Sequence, residues 1–393
     1  VKIALNAWFI DQPTTGSGQY LLHLLSEYAR DTEHQFLLCV RSGAPHGSIP
    51  GLGEGKALAS RFERRAIRTP FDGHTQQLAK VWFEQVGFPA HSRRWGADLL
   101  HVPYWASPLV AATPVVVTIH DLIPILLPAY RGNAFVRLYT GLVAWTARRA
   151  AYVLTDSESA RQDILHHLRL PAVRVQAVHL AADGRFRPVR DPQALQRVQD
   201  KYHLPSRFLL YLGGYDVRKN VPGVLQAFAR LDVPDLHLVI AGRVPDQDTP
   251  FFPSPQRIAQ ELDIHERVCF TGWVDDHDKP ALYSQADAFL FPSYYEGFGL
   301  PPLEAMSCGT PVIVSDRSSL PEIVGDAGIC VDPDDPDALA QAIAHVIGDP
   351  LLRETLREAG LERARRFTWQ QTAQATLLAY QRTIANWNNR TRT

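Results

Sequence analysis

Glu296 and Glu304 stand either side of a glycine-bearing loop, Gly297-Phe298-Gly299, and both side chains accept hydrogen bonds from hydroxyl groups. Between them the chain reads as a loop passing into a helix. Gly297 and Gly299 allow close approach of the backbone to a ligand or a positive φ, and Pro301-Pro302 fits a first helical turn, whose N–H groups are unbonded anyway. Leu303 to Ser307 continues that helix, Cys308-Gly309 stops it, and Val312-Ile313-Val314 follows as a buried parallel strand. A phosphate placed before the helix would meet outward-pointing amides and the positive end of the dipole. With Glu304 expected in the first helical turn, the carboxylates flank these amides rather than face each other as a hydrolase pair would. Taken singly, Glu296 is an ordinary loop residue and Glu304 an ordinary helix-start residue. Taken with the glycines, the pair suits a ligand carrying both hydroxyls and phosphates, which is a sugar nucleotide.

Two further segments carry compatible chemistry. The strand Phe208–Leu212 leads into Gly213-Gly214-Tyr215-Asp216-Val217-Arg218-Lys219-Asn220, a glycine turn with adjacent cations. Arginine offers a planar fork for phosphate oxygens and lysine a mobile point charge, which suits a diphosphate leaving group that gains negative charge. Adjacent side chains point differently in one conformation, so a plain surface pair is the competing reading. The strand Val115–Ile119 delivers His120-Asp121 at its C-terminal end, where open α/β sheets place ligands. Asp121 is expected to orient the loop or the imidazole.

The run Glu296-Gly297-Phe298-Gly299-Leu300-Pro301 followed by Leu303-Glu304-Ala305 resembles the E-x7-E signature of retaining glycosyltransferases of family 4 (glycosyltransferase group 1), which have the GT-B fold of two Rossmann-like α/β domains. The resemblance implies that Glu296 and the amides of Gly297, Phe298, Gly299 and Leu300 hold the donor sugar and diphosphate together with Gly214, Arg218 and Lys219. It also implies that Glu304 holds the ribose, that Arg243, Trp273 and Val274 line the base pocket, and that His120 contacts the transferring sugar. Gly16 and Gly18, with Tyr20 after them, match loosely a loop that faces the donor across the interdomain cleft. As a dinucleotide fingerprint the same glycines fail, because Leu21 stands where a third glycine would fall. The implied reaction is metal-independent and retaining. It moves a hexosyl group, with a lean to mannosyl from His120-Asp121-Leu122-Ile123-Pro124, onto a hydroxyl of a glycan or lipid-linked acceptor.

The elements that must position these residues follow from length and pattern. A chain of 393 residues is comfortable as two domains. Alternating strand and helix patterns put one domain at 1–186 and a second at 187–369, with a last helix, 370–393, crossing back to the first. The segment Asp183–Pro188 is expected to be the hinge. Forty basic against forty-one acidic side chains give a net charge of −1, which supplies no bulk attraction to nucleic acid. The four cysteines, far apart and without metal-ligand spacing, read as reduced thiols, and no apolar run is long enough for a membrane span. The expectation is a cytoplasmic protein, with peripheral contact at the inner membrane face left open.

Several features are read as structural. Arg61, Arg64, Arg65 and Arg68 form a basic run that is a solvated face or, alternatively, a contact for phosphate or an anionic membrane, and 43–55 is a loop. Tyr104 and Trp105 serve equally as core aromatics or as sugar-stacking groups. The strings Asp246-Gln247-Asp248, Asp276-His277-Asp278 and Asp332-Pro333-Asp334 suggest hard cations but read as polar turns, so no metal site is expected. The alternatives are an inverting GT-B enzyme or an epimerase, which would not require the Glu296/Glu304 pair, and a non-catalytic binding subunit, which would be expected to lose His120 or the cations.

Overall fold

The computed structural model describes residues 1–30, 33–44, 61–245 and 247–391. The chain forms two compact units, residues 1–180 with 369–393, and residues 181–368. In the first unit seven strands run β3-β2-β1-β4-β5-β6-β7, all parallel: β1 Lys2–Asn6, β2 Gln35–Arg41, β3 Phe62–Ile67, β4 Leu99–Val102, β5 Val115–Thr118, β6 Tyr152–Thr155 and β7 Val175–Ala177. Apolar side chains fill both faces of the central strands, as helix-covered parallel sheets require, and Val116, Val117 and Val153 are fully buried. The strand order reverses between β1 and β4. Ligands of open α/β sheets bind outside the carboxyl ends of strands at such a reversal.

The second unit repeats the plan with six parallel strands in the order β10-β9-β8-β11-β12-β13. They are β8 Phe208–Leu212, β9 His237–Ala241, β10 Val268–Gly272, β11 Ala288–Phe291, β12 Val312–Ser315 and β13 Ile329–Val331. Here the reversal falls between β8 and β11, and their following loops carry the cations and Glu296 respectively.

The last helix, Trp369–Thr391, belongs to the first unit. Trp369 stacks on His23 with ring centroids 4.3 Å apart, and the buried Tyr380 hydroxyl lies 3.1 Å from that of Tyr28 and 2.6 Å from His101 Nδ1. His101 in turn meets Thr118 Oγ1 at 2.9 Å, and Thr118 meets Tyr20 at 3.2 Å. Burial, aided by His120, pushes the His101 imidazole down to about 3, so it stays neutral within this network.

One local expectation differs from what forms. The division between units falls at Leu180/Ala181 rather than at 186, because 183–189 packs on the second unit: Phe186 lies edge-on to Tyr283, and the Val189 N–H bonds Ser284. Arg64 and Arg65 of the basic run lie on the edge strand β3, with Arg61 and Arg68 on either side of it, and Arg65 pairs with Glu63; charge on an edge discourages pairing with another chain. Most of the loop expected at 43–55, from residue 45 on, lies outside the described residues.

Candidate functional site

In the second unit, Arg218 and Lys219 lie in a single 3-10 turn, Val217–Lys219, that Asn220 ends in the left-handed conformation that asparagine tolerates. Contrary to the expectation that adjacent side chains diverge, both converge on one atom. Arg218 Nη1 and Lys219 Nζ are each 2.7 Å from Glu296 Oε1, and all three side chains are nearly buried. Arg218 Nη1 also donates to the Tyr295 carbonyl at 2.7 Å, and the Tyr294 N–H donates to the Arg218 carbonyl at 2.8 Å, so the loops after β8 and β11 are stitched together. Burial raises the Glu296 carboxyl, but Lys219 and Arg218 overcome it and hold the group below the usual glutamate range. With Asp216 Oδ1 3.5 Å from Arg218 Nε on the far side of the guanidinium, the cluster sets two cations against two carboxylates.

Behind it, Ser318 Oγ accepts from the Glu296 N–H at 2.9 Å, and Ser319 Oγ donates to the carbonyls of Glu296 and Phe298 at 2.9 and 2.6 Å. Gly299 has φ +116° at the N-cap of the helix Leu300–Ser307, and a Cβ there would lie 2.9 Å from Leu320. Only glycine fits that turn without strain. The Phe298 ring is buried against Phe367, so what Phe298 offers a ligand is its backbone. Leu300 is the first residue of the helix.

Glu304 lies one full turn into that helix, not in its first turn, which holds no acidic residue. The helix starts at Leu300, and the Glu304 carboxylate is half-buried along it. It accepts from the Tyr283 hydroxyl at 3.1 Å, and burial, against the opposing pull of Lys279 and Tyr283, pushes its carboxyl up to about 7. Lys279 Nζ also stands 5.8 Å from the centre of the exposed Trp273 ring. Val274 is buried beside them in sequence. Arg243 lines, with Gly214, Tyr215 and Asp216, an open cavity of about 500 Å³ whose wall does not include Trp273 or Val274.

Each described aspartate of the Asp-x-Asp strings has a cation beside it: Asp248 pairs with Arg257, and Asp246 lies outside the described residues. Asp276 is 2.5 Å from Lys279, Asp278 is 2.7 Å from Lys201, and Asp332 and Asp334 share Arg317. Asp275, His277 and Asp278 lie close enough to hold a cation, and Lys201 Nζ sits 2.7 Å from both carboxylates.

In the first unit, His120 follows β5. Its Nδ1 lies 2.7 Å from Asp156 Oδ2 and its Nε2 3.2 Å from the Pro103 carbonyl oxygen, so both ring nitrogens face acceptors. Burial lowers the imidazole, but Asp156 first, then Asp121 and the Pro103 carbonyl, raise it above the ordinary histidine value. Tyr20 packs edge-on against the ring at 5.0 Å. Asp121 instead accepts from the Ile123 N–H at 3.0 Å and so orients the loop, while Asp156 orients the imidazole. Asp156 was not singled out from sequence; its place at the C-terminal end of β6 is the signal that could have found it. Gly16 and Gly18 open the helix Gly16–Tyr28, capped by Thr15. A Cβ on Gly18 would fall 2.0 Å from the Gln12 carbonyl oxygen, whereas Gly16 faces open space. Tyr104 is buried and edge-on to Phe9, so its ring serves the core.

Residues 195–363 match the family model described as glycosyl transferases group 1, and residues 14–184 match that described as glycosyltransferase family 4. Over 395 aligned residues the chain is 36% identical to O-antigen chain mannosyltransferase B of Escherichia coli, with 97% of this chain and 99% of that protein covered. Among solved structures, sucrose-phosphate synthase of Thermosynechococcus elongatus superposes with a TM-score of 0.74 at 24% identity, covering 98% of this chain and 99% of that one. HepE of Anabaena, solved with UDP and glucose, superposes with a TM-score of 0.72 at 18% identity, covering 97% and 99%. The last two likenesses concern the fold.

Proposed function

The chain belongs to glycosyltransferase family 4 and is a glycosyltransferase with the GT-B fold, and from that premise we propose that it transfers a mannosyl group, with retention and without a metal ion, from a nucleoside diphosphate sugar to a hydroxyl of a saccharide acceptor. The observation that carries this reading is the convergence of Arg218 and Lys219 on Glu296 beside the N-terminus of the helix Leu300–Ser307. An incoming diphosphate offers both cations new partners. Glu296, freed from them, becomes an acceptor for sugar hydroxyls. The cations and the helix amides carry the charge that grows on the leaving phosphate, which is the service a metal would otherwise provide.

The acceptor hydroxyl attacks the anomeric carbon from the face the diphosphate leaves, the bond to the phosphate oxygen breaks, and that oxygen takes the acceptor's proton. His120, with both N–H groups pointed at acceptors, acts as a fixed cationic ring edge near the transferring sugar. Glu304 receives the ribose hydroxyls, with Trp273 and Val274 toward the base. Gly214, Arg243 and the amides of Gly297 to Leu300 complete the donor contacts, with Gly16 and Gly18 contributing from the first unit. Support for a mannosyl donor comes from the E. coli relative's name, and support for a nucleotide sugar from the ligands of the Anabaena protein. Among the described residues no helix is long and apolar enough to cross a membrane.

The test is donor binding and hydrolysis across UDP-, GDP-, ADP- and TDP-sugars with a chelator present, for the parent and for Arg218→Ala. Selective use of one donor, indifferent to chelator and weakened in the variant, is the expected result. Binding that disappears with chelator would overturn the metal-free reading and turn attention to Asp275, His277 and Asp278.

Because Glu304 is pushed up to about 7, it changes from mostly protonated to mostly ionised across the neutral range. The ionised form is the better acceptor for ribose hydroxyls, so donor KM should fall by up to about tenfold between mildly acidic and mildly alkaline pH. Glu304→Gln should flatten that dependence. A parent KM that does not change with pH would remove Glu304 from ribose binding.

A further inference from the structure

The first unit contains an open cavity of about 330 Å³ that plays no part in the donor reading. It lies at the carboxyl ends of β1, β2 and β3: Trp8 follows β1, Arg41 ends β2, and Phe71 to Gln76 follow β3. Its floor is apolar, made by the buried Trp8 and Ala79 with half-buried Phe71. Its rim is polar and exposed, with Asp72, His74, Thr75 and Gln76 at the edge. An aromatic floor under a ring of hydrogen-bonding groups matches a pyranose, which has an apolar face and an equatorial belt of hydroxyls.

Charge narrows the ligand further. Arg41 is engaged by both oxygens of Asp11, with Nε 3.4 Å from Oδ1. Asp72 accepts from the hydroxyls of Ser42 and Thr69, the latter at 2.6 Å, and from the Thr69 N–H at 3.0 Å. Against the desolvation that raises it, those bonds hold the Asp72 carboxyl below its ordinary value, so it remains an acceptor-only anion at neutral pH. Each nearby guanidinium is set against a carboxylate, Arg41 with Asp11 and Arg68 with Asp72, so the cavity has no excess positive charge to draw a phosphate, and a neutral polyol is the fitting class.

Position decides which part of an acceptor this would be. In the sheet order, β2 and β5 are separated by β1 and β4, so the cavity and the strand that delivers His120 are three strand spacings apart. That is about 14 Å, roughly the span of a few linked pyranose rings and too far for one ring to fill both places. We propose that the cavity formed by Trp8, Arg41, Phe71, Asp72, His74 and Gln76 binds a sugar unit of the acceptor glycan a few residues back from the one that receives the transferred hexose. The protein is thereby built for an oligosaccharide acceptor, and the length of the growing chain is sensed here; this rests on the saccharide-acceptor reading above.

The experiment compares transfer to a manno-oligosaccharide series, from mono- to pentasaccharide, by the parent and by His74→Ala and Gln76→Ala, with donor hydrolysis as a control. Both side chains are exposed, so the variants should fold normally. In the parent, acceptor KM is expected to fall about tenfold once the chain is long enough to reach the cavity. Both variants should lose that gain while short acceptors and donor hydrolysis stay unchanged. A parent KM independent of length, or variants that weaken short and long acceptors alike, would overturn the proposal. Calorimetric titration of the pentasaccharide into donor-free protein makes the same comparison without turnover, so a failed donor reading and an absent sugar subsite give different results.

Discussion

Glu296→Gln is expected to lower kcat for transfer by about a hundred- to a thousandfold while free nucleoside diphosphate binds about tenfold more tightly. The opposite signs follow from one arrangement. In the unliganded protein the carboxylate neutralises part of the charge of Arg218 and Lys219, each 2.7 Å from the same oxygen. The amide keeps the shape but not the charge, so Lys219 loses the carboxylate beside it and Arg218 keeps only Asp216 as an acidic partner, which leaves more of their charge for phosphate. What is lost is the acceptor that would grip the sugar hydroxyls. Truncation to alanine is a poorer probe, because removing one member of a buried ion cluster costs about 3–5 kcal/mol of stability by itself. Stopped transfer assays and calorimetry with the diphosphate product decide it. If nucleotide binding weakens along with transfer, Glu296 is only a structural clamp for the loop.

The second large effect concerns His120. His120→Ala should reduce kcat by about a hundredfold with little change in donor KM, since the ring is assigned to the transferring sugar and not to the nucleotide. Its raised pKa gives a sharper test. If the imidazolium is the working form, activity in the parent falls as pH rises through the His120 titration. Asp156→Asn removes the largest of the influences that raise the ring, so the descending limb should move to lower pH. Asp121→Asn, whose carboxylate bonds the Ile123 N–H and acts on the ring only at a distance, should move it less. Superimposable pH profiles for the parent and Asp156→Asn would mean that His120 does not work as a cation.

The candidate donor site of the second unit was readable because its signals are local. Glu296, Arg218 and Lys219 sit in the turns that follow β11 and β8, and Glu304 in the helix that the glycine turn after Glu296 opens, where side-chain type and backbone geometry constrain one another. What stayed hidden was set by packing between segments distant in the chain. Asp156 meets His120 only because β5 and β6 are neighbours in the sheet, and Tyr283 meets Glu304, twenty-one residues further on, only because their helices come together. The convergence of Arg218 and Lys219 could not be read from adjacency either, since it depends on the 3-10 turn that Asn220 closes. In the first unit the sequence patterns located strands but not the sugar-sized cavity, which draws its walls from segments following three different strands.

The return of Trp369–Thr391 to the first unit separates the order of synthesis from the order of completion. Residues 181–368 are continuous and hold every strand of their own sheet, so that half can close as soon as it leaves the ribosome. The seven-stranded half is translated earlier but waits with the Tyr28 hydroxyl and the His101 ring uncovered until Tyr380 is made. While the second half is made and folds, the nascent chain therefore carries a seven-stranded sheet that has all its strands but lacks its last covering helix. The half that holds His120 is the one a protease or a holdase chaperone meets open.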